Sequence, residues 1–472
     1  MLRALTPLLV LIVALVFNVQ VYGDRSLEGS NQLILLASAG VAALLAPKDR
    51  KSLIWHGIQG TVSDSAKALL ILLMVGALAG TWMASGIIPT LIVYGLKMLT
   101  PQTFLVAATV LSAAVSLATG SSWSTAATVG IALMGIGQSL GLPAGWIAGA
   151  VISGAYFGDK MSPVSDTTNI AATMAGAELT DHIRHMIWTS GPAILVALAV
   201  FGIKGLSANE SGDLSEVAVI TDLLEAKFTI SPWLLLVPIA SIALIALKLD
   251  ALAAMGLGTL AGAVAANILQ PHIIAEIAGH SGPTAWYEGS MQAMYGSTQI
   301  AIDHPMLSDL LKGKGMYGML GTVWLILCAL TFGGIMDAAG FLSTLTQGLL
   351  RVARGTFGLI SSTLASGLML NITASDQYLA IVVPGRMFKK AYEERGLKPE
   401  NLSRALEDSG TVTSALVPWN TCGAYQSSVL GVATGEYFLY AIFNWMSPLV
   451  SLLLAATGWK VTKIASASST QS

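Results

Sequence analysis

Thr119-Gly-Ser-Ser-Trp-Ser-Thr125 interrupts a long apolar passage of a 472-residue chain. Around it, the 61 residues from Met98 to Gly158 contain no Asp, Glu, Lys or Arg. A spanning helix needs about 20 apolar residues, so this passage crosses or re-enters a bilayer more than once. Six of the seven interrupting residues are Gly, Ser or Thr. Unwound backbone at membrane depth carries polar groups that lipid cannot satisfy, so it is tolerated only against protein or a water-filled cavity. The stretch therefore reads as the tip of a re-entrant hairpin.

The rest of the chain agrees. Hydrophobic residues make up 54% and charged residues 11%, against about 25% charged in soluble proteins. Ala251 to Ala275, Gly315 to Met336, Gly355 to Ser375 and Ser409 to Gly435 are also free of charge. No run alternates polar and apolar residues as barrel strands do, which predicts an all-α polytopic membrane protein embedded in the lipid bilayer. Soluble enzymes, disulfide scaffolds and disordered chains are excluded. With 24 Lys and Arg against 26 Asp and Glu, and no basic face, nucleic acid is not a partner. The two cysteines, Cys328 and Cys422, have no metal-ligand spacing. Arg3 followed by Leu8 to Phe17 reads as a first transmembrane helix, not a signal peptide. Basic residues cluster in Pro47–Ser52 and in Arg386–Lys398, whereas Lys204–Lys227 holds five acids, Glu210, Asp213, Glu216, Asp222 and Glu225. The positive-inside rule then puts the N-terminus in the cytoplasm.

Two halves of the chain match in register. Gly80-Thr-Trp-Met-Ala-Ser-Gly86 aligns with Gly334-Ile-Met-Asp-Ala-Ala-Gly340, and Thr119–Ala126 with Thr373–Ala380, both 254 residues apart. Pro163-Val-Ser-Asp-Thr167 meets Pro418-Trp-Asn-Thr-Cys422 at 255. The expected organisation is N-terminal helices over 1–51, repeats over 52–205 and 306–460, a connecting segment over 206–305 and a polar tail over 461–472. Duplications of this kind build secondary transporters, whose two inverted repeats meet around a site at the membrane midplane. Each repeat would contribute a hairpin tip (Thr119, Ser121 and Ser122; Asn371, Thr373, Ser375 and Asp376) and a helix broken at Pro163 or Pro418.

The chemistry concentrates in Ser153-Gly-Ala-Tyr-Phe-Gly-Asp-Lys-Met-Ser-Pro-Val-Ser-Asp-Thr-Thr-Asn169. A carboxylate inside a membrane costs about 3 kcal/mol on insertion scales and marks a functional position. Carboxylate, hydroxyl and carbonyl oxygens suit a small alkali cation, and Asp166-Thr167-Thr168-Asn169 supplies that set within four residues. Asp376 aligns with Ser122 and is read as a ligand. Asp337 replaces Met83 of the first repeat, a broken symmetry that would suit a proton carrier. Glu407 and Asp408 read instead as first-turn residues of a cytoplasmic helix. His182 and His185 read as an interfacial polar face.

These stretches resemble the NhaC family of Na+/H+ antiporters, which also contains sodium–lactate/proton–malate exchangers. The resemblance rests on Gly154–Asn169 and extends through Thr119–Thr125, Phe332–Asp337 and Pro418–Tyr425. It implies inverted repeats split into a scaffold and a mobile transport domain that moves as an elevator, in a homodimer of the bacterial cytoplasmic membrane. It implies exchange of Na+ for H+ without enzymatic activity or a resident cofactor. It implies roles for Asp159, Ser165, Asp166, Thr167 and Asn169 and for the hairpin-tip residues: Na+ would sit at Asp159, Asp166 and Thr167, with Ser121, Ser122, Asp376 and Asn420 as further ligands, and Asp159 or Asp337 would carry the proton. The alternative is exchange of a small organic acid or amino acid, its carboxylate held at Ser121-Ser122 and Asn420-Thr421.

Overall fold

The computed structural model describes residues 1–22, 29–207 and 214–464. Glu210 and Asp213 of the acidic stretch, and 465–472 of the tail, lie outside the described residues. The fold is helical; strand pairing among the described residues is confined to Thr298–Gln299 against Lys312–Gly313 and a bridge between Leu397 and Lys463. Seven described helices are long and apolar enough to cross a membrane: Leu2–Tyr22, Ala66–Ala84, Pro101–Thr119, Leu179–Leu206, Ala251–Leu269, Gly315–Ala338 and Gly355–Thr373. The protein is therefore a multi-pass membrane protein, as its composition requires.

Lipid tails are as apolar as leucine, so these helices associate by close packing more than by expelling water. Glycine provides the approach. A Cβ on Gly154 would lie 2.1 Å from the Thr109 carbonyl oxygen, and one on Gly158 would lie 2.4 Å from that of Ala113. Helix Ala144–Met161 thus rests on helix Pro101–Thr119 backbone to backbone. Gly57 meets Gly334, and Gly76 meets Gly315, in the same way.

The sequence repeat recurs as matched elements. Ile87–Met98 and Phe341–Val352 have 12 residues each, Pro101–Thr119 and Gly355–Thr373 have 19, and Asp166–Ala175 and Thr421–Leu430 have 10. The first two pairs are offset by 254 (341 − 87, 355 − 101) and the third by 255 (421 − 166). The extra residue enters at the hairpin tip. Gly120 (φ 68°) turns the first hairpin and Ser121 caps the outgoing helix, whereas the second uses Ala374 and Ser375 (φ 59°) before Asp376 caps. Asp376 consequently corresponds to Ser121, not to Ser122 as the ungapped alignment has it. Both side chains accept a helix N–H, from Leu379 and Ser124 respectively, the usual work of an N-cap.

Helix Leu179–Leu206 separates two ends of the bundle. Near one end, Gly205 lies against the Gln102 carbonyl and Lys204 over Trp146. Near the other, Lys460 stacks on Trp188, the Arg404 guanidinium donates to the Lys460 carbonyl, and Arg395 donates to the carbonyls of Ala353 and Gly355. The base of the first hairpin is thus at one end and the base of the second at the other.

Two further readings change. His182 and His185 are buried in the bundle, not on an interfacial face. Glu407 and Asp408 are fully buried in a π-helical turn, Glu407–Thr411, and do not start a helix. Helix Pro399–Leu406 runs straight into that turn, so the start lies two turns earlier, at Pro399.

Gly154→Ala and Gly158→Ala should each lower thermal stability in detergent, by about 1–3 kcal/mol for overpacking. Gly191→Ala, inside helix Leu179–Leu206 where an added Cβ meets nothing within 4 Å, should leave the melting temperature equal to the parent's or slightly higher.

Candidate functional site

Helix Ala144–Met161 stops because Pro163 cannot donate a backbone hydrogen bond and the chain turns through Ser162–Ser165 before Asp166 restarts the helix. Asp159 occupies the last turn before this break. Its Oδ2 accepts from the Ser122 backbone N–H (3.1 Å) and the Ser122 hydroxyl (2.7 Å), and its Oδ1 accepts from the Ser165 hydroxyl (2.6 Å). Ser122 opens the helix that leaves the hairpin tip. Its N–H is one of the donors that a helix start leaves free, and the positive end of the helix dipole favours the anion there. One carboxylate, 5% exposed, therefore ties the tip of the hairpin to both sides of the broken helix. The Thr167 hydroxyl lies 3.0 Å from that of Ser165 and extends the oxygen cluster.

These groups line a cavity of about 690 Å³. Among the residues expected from sequence, it gathers Thr119, Ser121, Asp159, Ser165, Asp166, Thr167, Asn169, Asp376 and Thr421. Ser122 reaches it through Asp159. Asn169 also braces the break, donating to the carbonyls of Ser165 (2.7 Å) and Pro163 (3.1 Å). Among the described residues, no three His, Cys, Asp or Glu converge as they would around a metal of higher charge. The carboxylates and hydroxyls on this wall form a hard-oxygen donor set.

Other expected residues do not line the cavity. Asn371 donates to the carbonyls of Ser409 (3.2 Å) and Gly410 (2.8 Å) and to the Thr413 hydroxyl (2.9 Å). Asn420 caps its helix and donates back to the backbone and side-chain oxygens of Asn371, 3.1 Å each. Thr373 bonds its own helix, and the Ser375 carbonyl accepts from the Thr421 N–H. This lattice holds the second hairpin to the second break. Asp337 lies exposed at the end of helix Gly315–Ala338, towards the Arg50 charge, and does not line the cavity.

The contact made by Asp159 also has a counterpart. Shifting Asp159 and Ser122 by 255 gives Ser414 and Gln377, and the Ser414 hydroxyl donates to the Gln377 carbonyl oxygen at 3.2 Å. Both halves join hairpin tip to broken helix at the same pair of positions, but only the first half places a charge there.

Sequence reasoning missed four charged residues on the cavity wall, Asp64, Lys67, Lys248 and Asp250. Lys67 pairs with Asp250 at 2.6 Å, both side chains about half exposed, and its hydrogen bond holds the Asp250 carboxyl below the usual carboxylate range. They stand at or beside helix ends, where charged residues are ordinary, so no local signal sets them apart. Lys160, the sequence neighbour of Asp159, forms its ion pair elsewhere. It turns away from Asp159 to pair with Asp408, fully buried, and donates to Ser447 (2.9 Å) and Thr189 (3.4 Å).

Residues 154–459 match the Na+/H+ antiporter family. The chain is 37% identical over 415 residues to an uncharacterised Na+/H+ antiporter of Haemophilus influenzae, covering 87% of this chain and 86% of that protein. It is 34% identical over 403 residues to the Na+/H+ antiporter NhaC of Bacillus subtilis (85% and 86% covered). It is 35% identical over 441 residues to the malate-2H+/Na+-lactate antiporter of the same organism (92% and 89%).

Asn371→Ala should destabilise the protein by about 2 kcal/mol or more, because buried acceptors lose their donor. Asp166→Asn, a change on the exposed cavity wall, should leave the stability within about 0.5 kcal/mol of the parent. Thermal unfolding of the purified proteins would separate a structural residue from a ligand in this way.

Proposed function

The chain belongs to the Na+/H+ antiporter family, and on that premise we propose that it exchanges Na+ for H+, the two ions taking turns on Asp159. The observation that carries this reading is the hydrogen-bonded carboxylate at the junction of hairpin tip and broken helix, open to a cavity and ringed by hydroxyls. Asp159, Asp166 and Thr167 would hold Na+, with the oxygens of Ser122 and Ser165 completing the set. When the carboxyl of Asp159 binds a proton, its negative charge is lost and the cation is released. Two ions that require the same oxygens cannot occupy them together, so exchange needs one site rather than two pathways. No resident cofactor is required, and no reaction chemistry beyond proton binding.

The finer architecture supports the same mechanism. Element lengths that recur at 254 and 255 residues, and hairpin bases at opposite ends of helix Leu179–Leu206, favour two inverted repeats over 52–205 and 306–460. In such an arrangement the hairpins and broken helices form a transport domain that moves past a scaffold, within a homodimer of the bacterial cytoplasmic membrane, N-terminus inside. A second reading has one observation in its favour. A cavity of about 690 Å³ with Lys67 and Lys248 on its wall falls in the range that holds small organic molecules. A small carboxylate or amino acid could then travel with the ions, as the name of the malate/lactate relative states for that protein.

In proteoliposomes with an acidic interior, external Na+ should dissipate the pH gradient, and Asp159→Asn should abolish the response. Because a proton and Na+ compete for one carboxyl, each unit of acidification below its pKa should raise the half-saturating Na+ concentration about tenfold. A half-saturating concentration that does not move with pH would reject shared binding. Counterflow of labelled lactate, malate or amino acids under the same conditions would establish the second reading.

A further inference from the structure

Ser122 gives Asp159 two of its three hydrogen bonds, and it does so only while the turn after the hairpin tip keeps its shape. That turn has little regular helix behind it. Ser122–Thr125 is one α-turn, and a π-turn, Ala126–Gly130, then interrupts the α pattern. The first turn of a helix frays readily, because its N–H groups lack helical partners. Local ties include the Thr125 N–H to the Ser121 carbonyl (3.2 Å) and the Ser124 N–H to the Ser121 hydroxyl (3.1 Å). Further support comes from outside the hairpin.

It comes from the other half of the chain. Tyr425, in helix Thr421–Leu430 and fully buried, stacks on Trp123 with ring centroids 3.9 Å apart and planes 18° from parallel. Its hydroxyl donates to the Trp123 backbone carbonyl at 3.0 Å. One side chain thus grips the residue next to Ser122 twice, by its ring and by its backbone. The start of the Tyr425 helix is fixed as well. Asn420 caps it, and the Thr421 N–H donates to the Ser375 carbonyl of the second hairpin at 2.9 Å. The repeat shows that packing alone does not demand this grip. At an offset of 255, Trp123 and Tyr425 correspond to Tyr378 and Ile170. An isoleucine neither stacks as a ring nor donates a hydrogen bond. The junction in that half is Ser414 with Gln377, which has no charge to hold in place.

We propose that Tyr425 is a positioning residue of the exchange, which holds Ser122 against Asp159 from the opposite repeat and so sets the affinity for Na+. This inference rests on the Na+/H+ reading above and deepens it. Tyr425 does not line the cavity, so it acts through Trp123 and Ser122 and touches neither ion. Its effect differs between the two ions for a geometric reason. A metal ion needs several oxygens at fixed distances at once, whereas a proton needs a single oxygen. Loosening the tip takes the Ser122 oxygen out of register with those of Asp159 and Ser165, which costs Na+ more than it costs H+. A binding constellation held by packing in this way loses affinity when its support is removed, although every ligand is still present.

The test is the half-saturating Na+ concentration for dissipation of a pH gradient in proteoliposomes, a quantity that does not depend on how much of the protein is folded. Tyr425→Phe keeps the stack and loses the hydroxyl; it should raise half-saturating Na+ about tenfold, as loss of a supporting contact to a metal ligand does. Tyr425→Leu, which loses both contacts and resembles the first repeat, should raise it further. The maximal rate per folded protein should stay within about twofold of the parent in both variants. In a Ser122→Ala background, where the oxygen that Tyr425 positions is already gone, adding Tyr425→Phe should change half-saturating Na+ by less than about twofold. Parental half-saturation in Tyr425→Phe and Tyr425→Leu, with only the rate lowered, overturns the inference and leaves the Na+/H+ reading intact. Fully multiplicative effects of Ser122→Ala and Tyr425→Phe also overturn it. Absence of any Na+-driven proton movement in the parent overturns both.

Discussion

Burying an ionised carboxylate in a bilayer-spanning protein is unfavourable unless donors replace the water it gives up. Asp159 receives three hydrogen bonds, two from Ser122 and one from Ser165. The donors come from different pieces of chain, a hairpin tip and the restart of a broken helix. Each of those pieces has unsatisfied groups of its own, because helix ends leave N–H and C=O without partners. The carboxylate thus satisfies the interruptions that make its own site possible. In the exchange proposed above, an ion on this carboxylate would change how strongly tip and break hold together, which would couple occupancy to the geometry of these elements.

The second half of the molecule shows the same junction with the charge removed. Ser414 donates to Gln377 where Ser122 donates to Asp159, and the pair Asn371–Asn420 fastens the hairpin to the break with amides. A neutral lattice changes little with pH, whereas a carboxylate changes charge. One half is accordingly suited to hold its shape and the other to respond. Asp376, which caps the second hairpin, lines the cavity with Gln377, Tyr378 and Thr421, and there the two halves share the same space.

Charge placement elsewhere follows a division between cavity and interior. Asp64, Lys67, Lys248 and Asp250 stand on the cavity wall, where water can solvate them and the Lys67–Asp250 pair contributes about 1 kcal/mol at most. Lys160, Asp408 and Glu407 are sealed inside the bundle. There a pair such as Lys160–Asp408 is tolerated only because Ser447 and Thr189 supply further partners, since breaking a buried pair leaves an uncompensated charge.

Much of this was legible in the residues. A passage of 61 uncharged residues reads as membrane-embedded, and the cluster of Gly, Ser and Thr within it marks the hairpin tip, although only Gly120 and Ser121 are unwound and Ser122–Thr125 are helical. Pro163 and Pro418 mark breaks because proline lacks the N–H that a helix interior needs. Asp159 stands out because an acid directly after such a passage is expensive. Local pattern could not decide which of the small polar residues face the cavity. Thr119, Ser121 and Thr421 do, while Asn371, Thr373 and Asn420 are consumed by the backbone around them, and a hydroxyl or amide is equally fit for either use. Nor could it show that Lys160 pairs with Asp408, 248 positions away, or that Glu407 lies inside the bundle instead of at a helix start. Hydropathy and helix-breaking chemistry act over a few turns of chain and so were settled by the sequence. The choice of partner for each polar group depends on which distant segments packing brings within 3 Å, and that was decided only by the tertiary structure.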